Sequence, residues 1–384
     1  MADPSTSTTT SAATTPVLIV GAGPAGLAVA GCLQQRGVRA TVLEQACGVG
    51  NAWRNHYQRL HLHTVKTHSA LPGLPFPDDA PRYVPRQGVV DYLEAYAKHH
   101  GIEPVCGETV VSVEREGGQW LAHTAGGRRF SAPVLVVATG ANREPVAPTL
   151  PGQDAFAGRV MHSRSYRNAE PFAGQRVLVV GIGNTGAEIA LDLAEHGVVV
   201  ALSVRSPVNI VKRDVMGRPT QLSSIALSKL PEPLGNALGS LLRNLTVGDL
   251  SRWGLKTPSV SPLHQLRHDG KTPMIDIGTV DRIKRGDIGV FPGIAMLTRD
   301  GARFTDGREQ AFDVVLLATG YQAALQPLFG SVPLPLDARG LPTVLHGDGA
   351  LQGVHFVGFD IRQAGGLLRT IAQQAERVAA RIAA

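Results

Sequence analysis

The chain predicts an α/β fold of two units, and three observations carry that prediction. A strand–glycine turn–helix–strand pattern occupies residues 16–44 and recurs over residues 176–204. Each copy is followed by an apolar strand running into Ala-Thr-Gly, at 138–140 and again at 318–320. The length also suits two cores: of 384 residues 43% are hydrophobic and 18% charged, and single cores stop growing near about 250–300 residues.

Taken in order, residues 1–15 are Ser/Thr-rich with little to bury and read as a disordered tail. The apolar run 16–33 has no Lys or Arg before it, so it lacks a signal peptide's basic flank. Its Gly21, Gly23, Pro24, Gly26 and Gly31 suit a tight turn better than a membrane span. The expectation is therefore a cytoplasmic protein with no stable membrane association.

Residues 17–20 are β-branched and apolar, and they enter Gly21-Ala22-Gly23-Pro24-Ala25-Gly26. Helical periodicity follows to Gln35, Gly37 stops it, and a strand over 40–43 ends at Glu44. Glycines at this spacing allow a tight turn, close approach of backbone N–H groups to a pyrophosphate, and close helix–strand packing. The helix N-terminus attracts the anion. Glu44, 23 positions after Gly21, stands where an acid accepts hydrogen bonds from an adenosine ribose. The pattern is that of a Rossmann-like dinucleotide site.

The second copy supplies Gly181, Gly183, Asn184, Thr185 and Gly186 in the same register. Here the position 23 residues on is Val204, and Arg205 comes next. Without the carboxylate a 2′-phosphate is not repelled, and a guanidinium offers it a bidentate partner. FAD in the first loop and NADPH in the second is the economical reading; a merely solvated Arg205 is the alternative. Ala138-Thr139-Gly140 and Ala318-Thr319-Gly320 are small residues at strand ends, where a chain crosses close to a dinucleotide. The division expected is an FAD-binding unit over 16–170 and 315–384, with an NADPH-binding unit over 171–314 inserted.

Other features bound the function. The net charge is +6 and the basic residues are scattered, which argues against nucleic acid as a partner. Cys32, Cys47 and Cys106 form no CxxC pair, so dithiol reductase chemistry is excluded and no metal-ligand spacing arises from them. His61, His63 and His68, with Lys66, cluster without helical metal pairing; no metal site is expected. Residues 71–85 hold five prolines and read as a stiff crossing, and residues 88–101 as a core-packed helix. Leu234, Leu238, Leu241, Leu242 and Leu245 stripe one helix with a single charge, Arg243. Burial within the chain is expected there, ahead of a substrate entrance, a contact between copies in a homo-oligomer, or a membrane surface.

Between the two loops stands Phe156-x-Gly158-x-x-x-His162-x-x-x-Tyr166. It resembles the fingerprint of class B flavin-dependent monooxygenases. The segments "YQRLHLHTVKTHSALPGLPFP", "GNTGAEIALDL", "GKTPMIDIGTVDRIKRGDI" and "FDVVLLATGY" extend that resemblance to the YUCCA-like indole-3-pyruvate monooxygenases. It implies FAD and NADPH as cofactors, molecular oxygen and a small organic substrate as partners, and a C4a-(hydro)peroxyflavin that oxygenates the substrate. The substrate implied is an aryl 2-oxo acid, which then decarboxylates. N- or S-oxygenation is the alternative chemistry, and an NADPH oxidase or flavin reductase the rival enzyme. A cofactor-holding redox sensor is the non-enzymatic rival.

The resemblance also assigns residues. His162 and Tyr166 couple domain position to nicotinamide retention, His63 lines the flavin pocket, and Lys66 supplies a cation near flavin or substrate. The FAD site takes in Gln45, Trp53, Arg54, His61, Val110 and Asp360, with Trp53 equally suited to plain core. The family's Leu-Pro-Lys after this histidine is Thr64-Val65-Lys66 here, so Val65 replaces a proline.

Overall fold

The computed structural model describes residues 12–384; most of the expected tail, residues 1–11, lies outside them. Ala13–Thr14 is not tail. It adds a short parallel strand to Arg129–Ala132, and Thr15 N donates to Ser131 O at 3.0 Å. That sheet edge offers unpaired backbone groups, and a polar segment satisfies them as well as an apolar one.

Two five-stranded parallel sheets organise the chain. The first runs in the order Val354–Phe356, Val134–Val137, Val17–Val20, Thr41–Glu44, Val105–Cys106. The second runs Arg159–His162, Val314–Leu317, Arg176–Val180, Val199–Ser203, Ile288–Phe291. Parallel strands are covered on both faces, so their sequences are continuous apolar runs such as VLIV, VLVV and VVLL. The first sheet is closed by the C-terminal strand Val354–Phe356, so the second sheet lies within the first unit's sequence. Arg159–His162, grouped with the first unit by sequence, is an edge strand of the second sheet.

The helix Pro24–Gln34 buries nine consecutive residues, packed beneath Leu367–Ala383 and against Arg86–His99. Gly31 sits inside that helix rather than in a turn. A Cβ there would stand 2.4 Å from the Tyr96 hydroxyl, so the glycine admits the buried tyrosine.

The leucine-striped helix is turned the opposite way from expectation. Glu232–Val247 buries Gly235 and Arg243, whereas Leu241 is 53% and Leu245 76% exposed. The Arg243 guanidinium is drawn inward by Asn209 Oδ1 at 2.6 Å and by the carbonyls of Pro258 and Val260. Three partners on one buried side chain outweigh the pattern of leucines. Among the described residues no helix is long and apolar enough to cross a membrane.

Candidate functional site: two nucleotide cradles and the seam between them

Both glycine loops adopt one geometry. Gly21 (φ +108°) and Gly181 (φ +102°) open the turns, and their Cα atoms lie under the carbonyls of Ala138 and Ala318. A Cβ would meet those oxygens at 2.6 and 2.8 Å. The two Ala-Thr-Gly crossings thus sit on the first glycine of each loop, which explains the small residues. Gly26 and Gly186 pack on their own loop's first carbonyl, where a Cβ would stand 1.9 and 2.1 Å away.

The middle glycines differ. Gly23 and Gly183 have ordinary backbone angles (φ −80° and −71°), and a Cβ on either meets no protein atom within 4 Å. The fold requires no glycine there; a close-lying ligand does. Each precedes a helix of eleven or twelve residues whose first-turn N–H groups, over Ala25–Gly26 and Asn184–Thr185–Gly186, face the same space. The residues fit dinucleotide pyrophosphates at both loops.

The strand ends then distinguish the cradles. Glu44 is buried, and its carboxylate accepts from Ala22 N at 2.8 Å and Ala46 N at 3.0 Å. Gln45 follows it at the strand end. In the second cradle Val204 is buried and Arg205 exposed, its guanidinium in no hydrogen bond or ion pair among the described residues. Thr139 Oγ1 is buried without a partner beside the first loop, while Thr319 donates to Val146 O.

A polar seam joins the cradles. Glu188, Asp192 and Glu195 lie on one face of the Asn184–Glu195 helix, four and three residues apart. Glu188 is 2% exposed and receives Tyr57 Oη at 3.1 Å and His63 Nε2 at 2.7 Å. Asp192 receives Tyr166 Oη at 2.6 Å, and Arg59 pairs with Asp192 and Glu195 at 3.6 and 2.8 Å. The helix that starts under the second cradle thus grips residues 57–63 of the first unit. Burial, then the carboxylate partners, push the Tyr57 and Tyr166 phenols well above their ordinary range, so both stay protonated donors.

His63 presents the free end of this seam. Its Nε2 faces a carboxylate, and its Nδ1 is buried with no partner. Neither Glu188 nor Tyr57 was singled out from sequence; the 125 residues separating Glu188 from His63 hide the pairing, although Glu188 stands in the quoted "GNTGAEIALDL".

The fingerprint residues are joints. Phe156 packs in the second sheet's core, and Gly158 leaves room for its ring and for Asp313 O. His162 Nδ1 accepts from Arg164 N, so Nε2 carries the proton and donates to Gly320 O at 3.1 Å. Burial lowers its pKa from the ordinary value. Tyr166 is 1% exposed and spent on Asp192, so it acts on the seam and not on a cofactor directly. The strand after Gly320, Tyr321–Gln322, pairs with Glu144–Pro145, so the two passages between the units cross as one ribbon.

Six other assigned residues have structural surroundings of their own. Lys66 Nζ donates to the carbonyls of Pro77, Asp78 and Ala80, which fastens the proline-rich crossing. Arg54 pairs with Glu94 and donates to Val49 O, and His61 Nδ1 bonds Arg59 O. Val110 is buried in the first unit's small sheet. Trp53 packs half-buried on the first core. Asp360 caps its own turn through Arg362 N and Gln363.

Asp360 also borders a cavity of about 710 Å³. Lys229, Arg267, Arg362, Arg369 and Arg377 line it, with Phe356 and Phe359 at its wall. Five cations against one carboxylate suit an organic anion.

Two nucleotide cradles bridged by a shared seam define the class of two-dinucleotide flavoproteins. The chain belongs to the flavin-binding monooxygenase-like family, whose model matches residues 14–333. It is 43% identical over 310 residues to the indole-3-pyruvate monooxygenase YUCCA1 of Oryza sativa subsp. japonica, covering 80% of this chain and 76% of that protein. Its fold matches a flavin-containing monooxygenase from Stenotrophomonas maltophilia (TM-score 0.75, 22% identity, 96% and 98% of the two chains). It also matches the bacillithiol disulfide reductase Bdr of Bacillus cereus (TM-score 0.69, 18% identity, 96% and 99%). The fold thus serves reductases as well; family membership makes this chain a flavin-dependent monooxygenase, with O2 and a small organic molecule as co-substrates.

Proposed function

We propose that this enzyme uses NADPH and O2 to convert an aryl 2-oxo acid, indole-3-pyruvate being the leading case, into the arylacetate and CO2. The observation that carries the cofactor assignment is the contrast between strand ends, buried Glu44 in one cradle and free Arg205 in the other. FAD is assigned to the first-sheet unit and NADPH to the second-sheet unit inserted in it. Bound FAD supplies hydride acceptance from NADPH and oxygen activation at its C4a atom.

The chain's own residues then have these roles. The N–H groups after Gly23 and Gly183 hold the pyrophosphates, and Glu44 fixes a ribose. Arg205 pairs with the 2′-phosphate. His63, oriented by Glu188, keeps its buried Nδ1 unpaired and available to a group on the bound flavin. The cation-lined cavity receives the substrate carboxylate, and its phenylalanines the aryl group. Similarity to the plant indole-3-pyruvate monooxygenases supports the substrate class.

Each turnover consumes one 2-oxo acid, one O2, one NADPH and one proton, and yields the arylacetate, CO2, NADP+ and water. Incubation with indole-3-pyruvate, phenylpyruvate, an amine and a thioether tests this. Arylacetate formed one-for-one with NADPH is expected. Peroxide equal to NADPH with every substrate would make the enzyme an oxidase.

A further inference from the structure

We propose that Glu232, His264 and His268 form a binding site for a borderline divalent cation of the zinc, nickel or copper class. The sequence "HQLRH" sets two imidazoles at i and i+4 on the helix Pro262–Asp269, the separation that puts both on one face. Their ring centroids are 4.3 Å apart and tilted by 33°. Glu232, the first residue of the neighbouring helix Glu232–Val247, brings Oε1 to 2.8 Å from His268 Nε2 and 3.4 Å from His264 Nδ1. All three donor atoms fall within 4.8 Å of one another.

Those separations are close to what a metal needs. Ligand atoms at about 2.0–2.1 Å from a tetrahedral ion stand about 3.3 Å apart, so small side-chain rotations admit the ion. The donor set, two imidazoles and one carboxylate, suits zinc, nickel and copper over calcium and magnesium, which take oxygen ligands. Supports are in place around it. Asn236 Nδ2 reaches Glu232 Oε1 at 3.4 Å, and Asn236 Oδ1 accepts from Ser261 Oγ at 2.7 Å. The same Ser261 oxygen caps the histidine helix by accepting from His264 N at 2.9 Å. One hydrogen-bonded chain thus positions both helices, as outer partners of metal ligands do. The three ligands are partly exposed, which gives the ion a path in and leaves a fourth position for water or an exogenous ligand.

The site's place in the fold gives it a consequence. The corner leading to Glu232 carries Ser228 and Lys229, and the histidine helix carries Arg267; all three line the cation-rich cavity. Arg267 already donates to Ser228 O at 2.6 Å across this gap. A bound ion adds a second tie between the same two segments and stiffens that wall of the cavity. The metal ion is thereby a structural regulator of access and takes no part in the oxygen chemistry.

The test uses the untagged full-length flavoprotein after chelator treatment. Titration with Co2+ is read by d–d absorption between about 500 and 700 nm, beyond the flavin bands, and with Zn2+ by calorimetry. One equivalent is expected to bind at neutral pH. H264A, H268A and E232Q each weaken binding at least tenfold, and the double histidine variant abolishes it, while metal-free melting temperature and flavin content stay as in the parent. No stoichiometric binding, or one-equivalent binding that survives in the double variant, overturns the proposal.

Discussion

At the scale of single residues, the glycines separate what the fold needs from what a ligand needs. Gly26→Ala drives a Cβ into Gly21 O and destabilises the protein by about 1–3 kcal/mol or more, read in urea melts of apoprotein. Gly23→Ala meets no protein atom, so the apoprotein keeps its stability and loses flavin, seen as a lower 450 nm to 280 nm absorbance ratio. Equal stability losses in the two variants would refute a ligand role for Gly23. Arg205→Ala removes a charge-assisted pair of about 1.5–3 kcal/mol, so kcat/KM for NADPH falls about 10–100-fold with that for NADH little changed. Equal losses for both nucleotides would discard the 2′-phosphate contact. These residues were legible in the sequence because each lies in its glycine loop or at the fixed offset of the strand end that follows it.

At the scale of elements, the Asn184–Glu195 helix does two jobs, with its N-terminus at a cradle and its acidic face on the other unit. Glu188→Ala strands two buried donors, Tyr57 Oη and His63 Nε2, and is expected to cost about 2–4 kcal/mol, whereas Glu188→Gln retains an acceptor and costs less. A thermal-melt series on both variants and Tyr57→Phe measures this; additivity of Glu188→Ala and Tyr57→Phe would deny the coupling. The Glu232–Val247 helix inverts the usual arithmetic of apolar burial. Leu245→Lys, at an exposed position, changes stability by about 0.5 kcal/mol or less, while Arg243→Ala costs about 2–4 kcal/mol by unpairing Asn209 and two carbonyls. The stripe misled because periodicity marks which leucines share a face and not which face the protein covers. Arg243, the one charge in the pattern, was the informative residue.

At the scale of the whole molecule, buried histidines set the acid limit of stability. His56 and His355 are each pushed down to about 4, in both cases chiefly by burial; for His355 the neighbouring His346 and Arg381 add to it. The unfolded chain therefore takes up protons first as pH falls. Stability from these neutral rings is complete above about pH 6.5 and is lost between about 6.5 and 4, up to about 3 kcal/mol for each. Denaturation midpoints at pH 7 and 5 check the loss, and His355→Asn flattens the slope; an unchanged slope would remove His355 from the account.

The chain's sequence determined the two sheets, the two cradles, their cofactor contrast and the family, because strand apolarity, glycine spacing and a terminal acid or arginine are local properties. Tertiary structure alone decided that Lys66 holds a loop, that Tyr166 and His63 meet one helix, and that a leucine face points outward. Those outcomes depend on partners brought together only by folding, from 11 residues away for Lys66 to 125 for His63, or on which surface is left uncovered, and neither is encoded in local periodicity.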